Sequence, residues 1–359
     1  MTRLLLGLVL VPILLAGGGQ PRGQNRPDQP PGPVPGQPGP WDQDVLVHRV
    51  SKGGAVEALA TFERSGVPTI ARLADGRLIA GTQHFPENDP ASFDKVAVRF
   101  SRDEGRTWTP PRTIELEGLA PAMRFPFDPT LVPLPDGRVR LYFTSLRQGG
   151  FEPQMPAIYS AVSTDGVRFT VEPGVRFAIP GRPVIDCAVV LHKGVFHLFV
   201  PDNGTWLPGL RGDGPPDGQR PPPGVGYHAT SRDGLEFTRE DDVRVEGNRR
   251  WLGNAQSDGA AITFFGTGGP GLAGPMPAPG LPPEPRPEQA PARGGAFGGQ
   301  PRGGIWRATS PDGAKWTLMD DWRIPGADPG AVATSDGAWI VVSTGPPRPG
   351  TPSAQRGRR

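Results

Sequence analysis

The sequence predicts an all-β fold, a five-bladed β-propeller whose last blade is closed by N-terminal strands. Three observations predict it. One tight-turn motif occurs four times, a second occurs five times, and the two alternate along the chain. The strands left over lie at opposite ends of the body, where together they complete one blade.

The first series comprises Ser101-Arg-Asp103-Glu-Gly105-Arg-Thr-Trp108, Ser163-Thr-Asp165-Gly166-Val-Arg-Phe169, Ser231-Arg-Asp233-Gly234-Leu-Glu-Phe237 and Ser310-Pro-Asp312-Gly313-Ala-Lys-Trp316. The Ser and Asp side chains can accept hydrogen bonds from turn amides, Gly tolerates positive φ, and the aromatic plugs back into the blade. The second series is Asp75-Gly76, Asp136-Gly137, Lys193-Gly194, Asp258-Gly259 and Asp336-Gly337. Each pair sits between apolar or alternating runs, the pattern of a hairpin between inner strands.

The leftover pieces fit one another. Val45 to Val50, then Ser51-Lys-Gly-Gly54, then Ala55 to Phe62 reads as an outer hairpin without an inner partner. Asp328 to Thr344 reads as an inner hairpin without an outer one. Joining them closes a ring and removes the exposed edges of a linear stack. A β-sandwich also has regularly spaced short strands, but it does not call for two interleaved turn series.

Composition sets the limits of this body. Gly (52) and Pro (48) far exceed average shares, which are about 7% and 5%. The excess lies in stretches without an apolar pattern, expected to be disordered. Residues 1–19 have the basic start, apolar core and small-residue end of a signal peptide. That run is shorter than the roughly 20 residues of a spanning helix. The expected organisation is a signal peptide at 1–19, a Pro/Gly-rich linker at 20–43 and a propeller at 44–345. The propeller would be interrupted by an insertion at 266–304 and followed by a basic tail at 346–359. A secreted or periplasmic chain follows, with no stable membrane insertion after cleavage. The single cysteine, Cys187, excludes an internal disulfide framework. A net charge of +2 without a basic stripe gives no reason to expect nucleic acid.

In a propeller both turn series fall on one face, and the long insertions on the other. Loops of more than about a dozen residues are usually functional or disordered, so the long-loop face is the candidate site. Three inner strands begin there with a carboxylate: Asp128, Asp186 and Asp328. Each has an arginine four or five residues upstream, namely Arg124, Arg182 and Arg323. Blade four offers Asn254 and blade one Thr69. Converging carboxylates raise at least one pKa and separate acid from base. A pair flanking a glycosidic bond is what sugar hydrolysis requires, and the arginines would hold a carboxylate ionised or grip an anionic substrate. Capping of strand starts is the structural alternative for each Asp. The same cluster with loop carbonyls would also suit Ca2+. No other cofactor is expected, because no metal-spaced His/Cys cluster, nucleophile elbow or phosphate loop occurs. The long loops add His84, Glu87, Arg147, Glu152, Asp202, Asn203 and Trp206 as candidates for substrate contact. Cys187 is expected to be buried and inert.

The four Ser-x-Asp turns resemble the Asp-box (BNR) repeats of the sialidase (neuraminidase) superfamily. Val67 to Ala80 looks like the first strand pair of its members. Phe127 to Gly137 and Val139 to Ser145 resemble five-bladed glycoside hydrolases of the arabinanase and fructosidase type. The resemblance implies a carbohydrate-active propeller, although Asp-boxes mark fold rather than activity. Two departures bear on function. The Arg-Ile-Pro tripeptide of sialidases is matched here by Gly66-Val67-Pro68, so its substrate-gripping arginine is missing. Their nucleophilic tyrosine has no counterpart either, since Tyr142, Tyr159 and Tyr227 fall within second or third strands. The arabinanase-type pattern puts its acids on three consecutive blades, against blades two, three and five here.

The expected function is therefore an exported glycan-acting hydrolase, with Asp186 as general acid, Asp128 as base and Asp328 tuning the pair. The alternative is a non-catalytic propeller that binds a glycan or protein. Sialidase activity ranks last.

Overall fold

A blade inside a ring has a neighbour on each face, so its central strands must bury both sides. The strand Val139–Ser145 is accordingly buried at every position, whereas Val56–Phe62, at a rim, is mostly exposed. The computed structural model describes residues 40–147, 155–204, 224–247, 249–268, 304–319, 322, 324 and 326–347. The strands β1 (Gln43–Val50) and β2 (Val56–Phe62) come first. Blade one follows as β3 (Ser65–Arg72), β4 (Leu78–His84), β5 (Lys95–Ser101) and β6 (Arg112–Thr113). Next comes β7 (Glu115–Glu117), and then blade two as β8 (Phe127–Pro133), β9 (Val139–Ser145), β10 (Ala157–Ser163) and β11 (Arg168–Phe177). Blade three is β12 (Ala188–His192), β13 (Val195–Pro201) and β14 (Val225–Ser231), edged by β15 (Thr238–Arg239) and β16 (Val243–Arg244). Blade four is β17 (Arg249–Ser257), β18 (Ile262–Gly268), β19 (Ile305–Ser310) and β20 (Thr317–Leu318). The chain ends its strands with β21 (Ala327–Ala333) and β22 (Trp339–Pro347).

Blade five has the order β2-β1-β22-β21. The first strand pairs antiparallel with the last, Val45 opposite Thr344 and Val50 opposite Trp339. The N-terminal hairpin therefore lies where the turn count requires it. One feature the sequence does not announce is β7, which pairs in parallel with β11 and becomes the outer edge of blade two. Strand ends at Gln43, Gly268 and Pro347 pass the compositional boundaries by one to three residues.

The core is distributed rather than central. Five apolar clusters among the described residues fill the five seams between blades. Phe199, Trp251, Phe264 and Trp306 fill the seam between blades three and four. Val47, Ile70, Ile340 and Val342 fill the one between blades five and one. This last cluster joins residues from both ends of the body, so closure is held by apolar burial as well as by backbone pairing.

The Ser-x-Asp turns also serve the seams. The hydroxyls of Ser163, Ser231 and Ser310 accept from the amides of Gly166, Gly234 and Gly313 at 2.8 to 2.9 Å. These glycines have φ near 75°, where a side chain is strained. They also press on the preceding blade. A Cβ on Gly234 would lie 2.3 Å from an Arg140 nitrogen, and one on Gly313 would lie 2.5 Å from His197 Nδ1.

That last contact covers a buried histidine pair in blade three. His197 Nδ1 lies 3.1 Å from His228 Nε2, and the rings are stacked 5.3 Å apart. Burial, reinforced by the neighbouring histidines, pushes both down from the ordinary 6.5 to about 4. Below pH 6.5 the unfolded chain takes up protons that the folded seam refuses. This contribution to stability is complete above the unfolded value and is lost as pH falls toward 4. Urea unfolding of the His197→Gln/His228→Gln double variant should depend on pH less steeply than wild type between pH 6.5 and 4.5. An identical slope would remove the pair as the cause.

Candidate active site at the propeller axis

Closing a five-blade ring brings five inner-strand starts to one axis. At that level blade one supplies Val67, blade two Asp128, blade three Asp186, blade four Leu252 and blade five Asp328, and these side chains line one pocket. The three acidic strand starts are thus brought together. Their backbones are unusual. Asp128, Asp186 and Asp328 have φ of 50°, 60° and 48°, and Val67 has 47°. In β3, β8 and β21 the strand register slips at this point. A left-handed conformation costs a non-glycine residue roughly 1–2 kcal/mol. Such strain persists only where the surroundings hold it, commonly at functional sites.

What holds it is a threonine from the preceding blade. The amide of Asp186 donates to Thr144 Oγ1 at 3.2 Å, that of Asp328 to Thr267 Oγ1 at 2.9 Å, and that of Val67 to Thr344 Oγ1 at 3.0 Å. With the left-handed backbone, each of these residues lines the axial pocket. A strand-capping carboxylate would instead accept from nearby turn amides, as Asp136 accepts from Arg138 N at 3.1 Å.

Asp128 and Asp186 line this pocket together, and each acts on the other's titration, with Asp328 acting on Asp128 as well. Neighbouring buried carboxyls titrate as a coupled set rather than singly. Burial, then the charge of a neighbouring aspartate, raises both above the usual carboxylate range. Asp328 is flanked in the ring by Leu252 and Val67. Its Oδ1 is buried without a hydrogen-bond partner. Burial first, and the Asp186 charge second, push it up to about 7, while Arg250 opposes the shift.

The arginines depart from expectation. Arg124 bears on Asp128, but its guanidinium is shared with Asp94 at 3.0 Å and lies over the Phe127 ring. Arg182 turns away from Asp186 to Asp202 at 3.1 Å and to the Tyr227 hydroxyl at 2.9 Å. Among the described residues, the cation that acts on Asp186 and Asp328 is Arg250. Sequence reasoning missed it, although it precedes Asn254 by four residues, the spacing of Arg124 to Asp128. Asp94 was missed as well; it is held by Gln83 at 2.8 Å and by Arg124.

The remaining candidates scatter. His84 ends β4 half-buried beside Ser65, 3.5 Å away; burial and the Arg99 charge push it down to about 4. Glu87 is exposed and paired with Arg64 at 2.9 Å. Asp202 is buried and held by Arg182 and the Gly204 amide. Asn203 reaches Arg250 at 2.6 Å. Arg147 is exposed at an isolated bridge to Met123. Glu152, Trp206 and Arg323 lie outside the described residues. Thr69 and Asn254 do not face the mouth; both are buried and bonded to each other at 3.2 Å. Cys187 is buried, and burial raises its thiol far above the ordinary value. No group of three His, Cys, Asp or Glu side chains among the described residues has metal-binding geometry.

No protein-family model matches the chain, and no curated protein matches it either. Solved propellers are similar to it in fold. A β-fructofuranosidase of Bombyx mori is 11% identical, with a TM-score of 0.49 over 77% of this chain and 54% of that one. The chain therefore spans about half the length of that enzyme. An N-acetylgalactosamine deacetylase from F. plautii is 12% identical, with a TM-score of 0.49 over 84% and 95% of the two chains. An α-L-arabinanase of Penicillium chrysogenum is 15% identical, with a TM-score of 0.43 over 84% and 79%.

The raised acids carry a stability cost of definite sign. A carboxyl whose folded pKa exceeds its unfolded value favours folding at low pH and loses that favour as pH rises through the folded value. For Asp328 the window runs from 3.8 to about 7. At about 1.4 kcal/mol per pKa unit, Asp328→Asn should stabilise the fold at pH 8 by on the order of 2–4 kcal/mol, and much less at pH 4. Equal urea midpoints for wild type and variant at pH 8 would contradict the buried, unpartnered state.

Proposed function

We propose that the chain is an exported, carbohydrate-acting propeller that hydrolyses glycosidic bonds through the axial aspartates. Convergence of three raised carboxyls on one pocket carries this reading, because it sets groups able to hold a proton beside Asp328, whose Oδ1 has no hydrogen-bond partner. The four Ser-x-Asp turns, read as Asp-boxes, support the fold, and the signal-like N-terminus supports the compartment.

The roles of acid and base fall among these three aspartates. Sugar hydrolysis needs two carboxyls about 5 to 10 Å apart. In this reading Asp186, coupled to Asp128, gives its proton to the leaving oxygen. Asp328, facing them across the axis, takes the part of base or nucleophile once ionised. The space among the carboxyls is only about 10 Å3, enough for roughly one water molecule. The sugar would sit above it, toward the long loops.

That small volume also favours a second reading, in which the propeller binds a glycan without cleaving it. A glycan panel separates the two. Asp128→Asn, Asp186→Asn and Asp328→Asn should each lower kcat/KM by about 10²- to 10⁴-fold, with binding retained. Equal sugar release by wild type and all three variants would remove the catalytic assignment. Binding without release by wild type would establish the second reading.

A further inference from the structure

Among the described residues, Arg124, Arg182 and Arg250 lie at or shortly before inner-strand starts, and the first two are already paired. Arg124 is paired with Asp94 at 3.0 Å, and Arg182 with Asp202 at 3.1 Å. Arg250, at the start of β17, differs. Its side chain is exposed, and its guanidinium meets only a neutral partner among the described residues, donating from Nη2 to Asn203 Oδ1 at 2.6 Å.

The support under this contact is rigid. Asn203 donates from its own amide to the Pro201 carbonyl at 3.3 Å, which leaves its oxygen turned to the arginine. Asp202 beside it is buried, accepting from Arg182 and from the Gly204 amide. The Arg250 carbonyl accepts from Nε1 of the fully buried Trp306 at 3.2 Å. Two residues on, Leu252 lines the carboxyl pocket. A planar guanidinium fixed at one nitrogen keeps its remaining donors for a planar oxyanion, which it binds in bidentate fashion.

We propose that Arg250, oriented by Asn203, is the residue that recognises an anionic group on the substrate, so that this site acts on acidic glycans carrying a uronate carboxylate. The proposal rests on the glycan-acting reading of the axial pocket and adds a substrate class to it. It also gives a role to a cation that acts on Asp186 and Asp328 without a direct ion pair to either among the described residues. Arg250 offsets their charge before binding and turns to the substrate carboxylate when that arrives. A role confined to tuning Asp186 and Asp328 makes a different forecast, because its loss would weaken neutral and acidic substrates alike.

The test compares uronate-containing oligosaccharides with their carboxyl-reduced counterparts, by calorimetric binding and by release assays. Wild type should bind the uronate form about tenfold or more tightly than the reduced form, the scale of a charge-assisted bidentate contact. Arg250→Gln should abolish that preference, lowering affinity for the uronate form about tenfold more than for the reduced form, while Arg250→Lys keeps part of it. The uronate-specific part of the loss should fall on KM, because that contact is made equally in ground and transition states, whereas the effect of Arg250 on Asp186 and Asp328 falls on kcat for both forms alike. Equal loss on both forms, or no loss on either, would overturn the proposal. So would a sulfated, carboxyl-free oligosaccharide that binds as tightly as the uronate. Repeating the binding in Asp128→Asn keeps the two readings apart. Arg250-dependent binding without release in wild type would sink hydrolysis while leaving the recognition site standing.

Discussion

The pairing of β1 with β22 is the constraint on which the rest of the structure depends. Without it the blades form a row with two bare faces and unpaired edges, and such edges invite association with other chains. With it, every blade has two neighbours and every seam is filled. The closing contact is not sequence-local, since Val45 meets Thr344. Its cost in loop entropy is recovered through the burial of Val47, Ile70, Ile340 and Val342 in a shared cluster.

Closure also creates the axial chemistry. Five inner strands converging on one line leave no room for five large side chains, and the inner strands of blades one, two, four and five bulge as they enter. One residue per blade lines the axis, and a threonine of the preceding blade holds three of these residues in place. Two of the five positions are apolar and three are acidic. Three carboxyls in so small a volume cannot all be ionised at neutral pH. The raised values of Asp128, Asp186 and Asp328 are consequences of ring geometry acting on those residues. The histidine pair of the third seam has the opposite response. It resists protonation, so the seam and the axis pull stability in contrary directions as pH changes.

Much of the fold was legible because turns are local. Ser101, Ser163, Ser231 and Ser310, with their Asp and Gly partners, report on hydrogen bonds that close within a few residues, and five Asp-Gly or Lys-Gly pairs report the inner hairpins. The exchange of β7 into blade two was not legible, since three residues, Glu115 to Glu117, carry no pattern that names a distant partner. At the site, the three aspartates could be read as strand starts, and their shared pocket followed once five blades were counted. The cations could not be read so simply. Arg182 looked equivalent to Arg124, yet a buried Asp202 and the Tyr227 hydroxyl take its charge. Arg250 stood unremarked beside Arg249 until its neighbours across blades were known.

The sequence by itself determined the number of blades, the face that carries the long loops, and the three acidic residues at inner-strand starts. Those features are written in short-range turn chemistry and in the count of leftover strands. Only the tertiary structure decided that the three carboxyls are buried together with raised values, that Arg124 and Arg182 pair with Asp94 and Asp202, and that Arg250 acts on Asp186 and Asp328. Those outcomes depend on distances between blades, and electrostatic interactions in a buried site change steeply with distance and solvation, neither of which a linear spacing encodes.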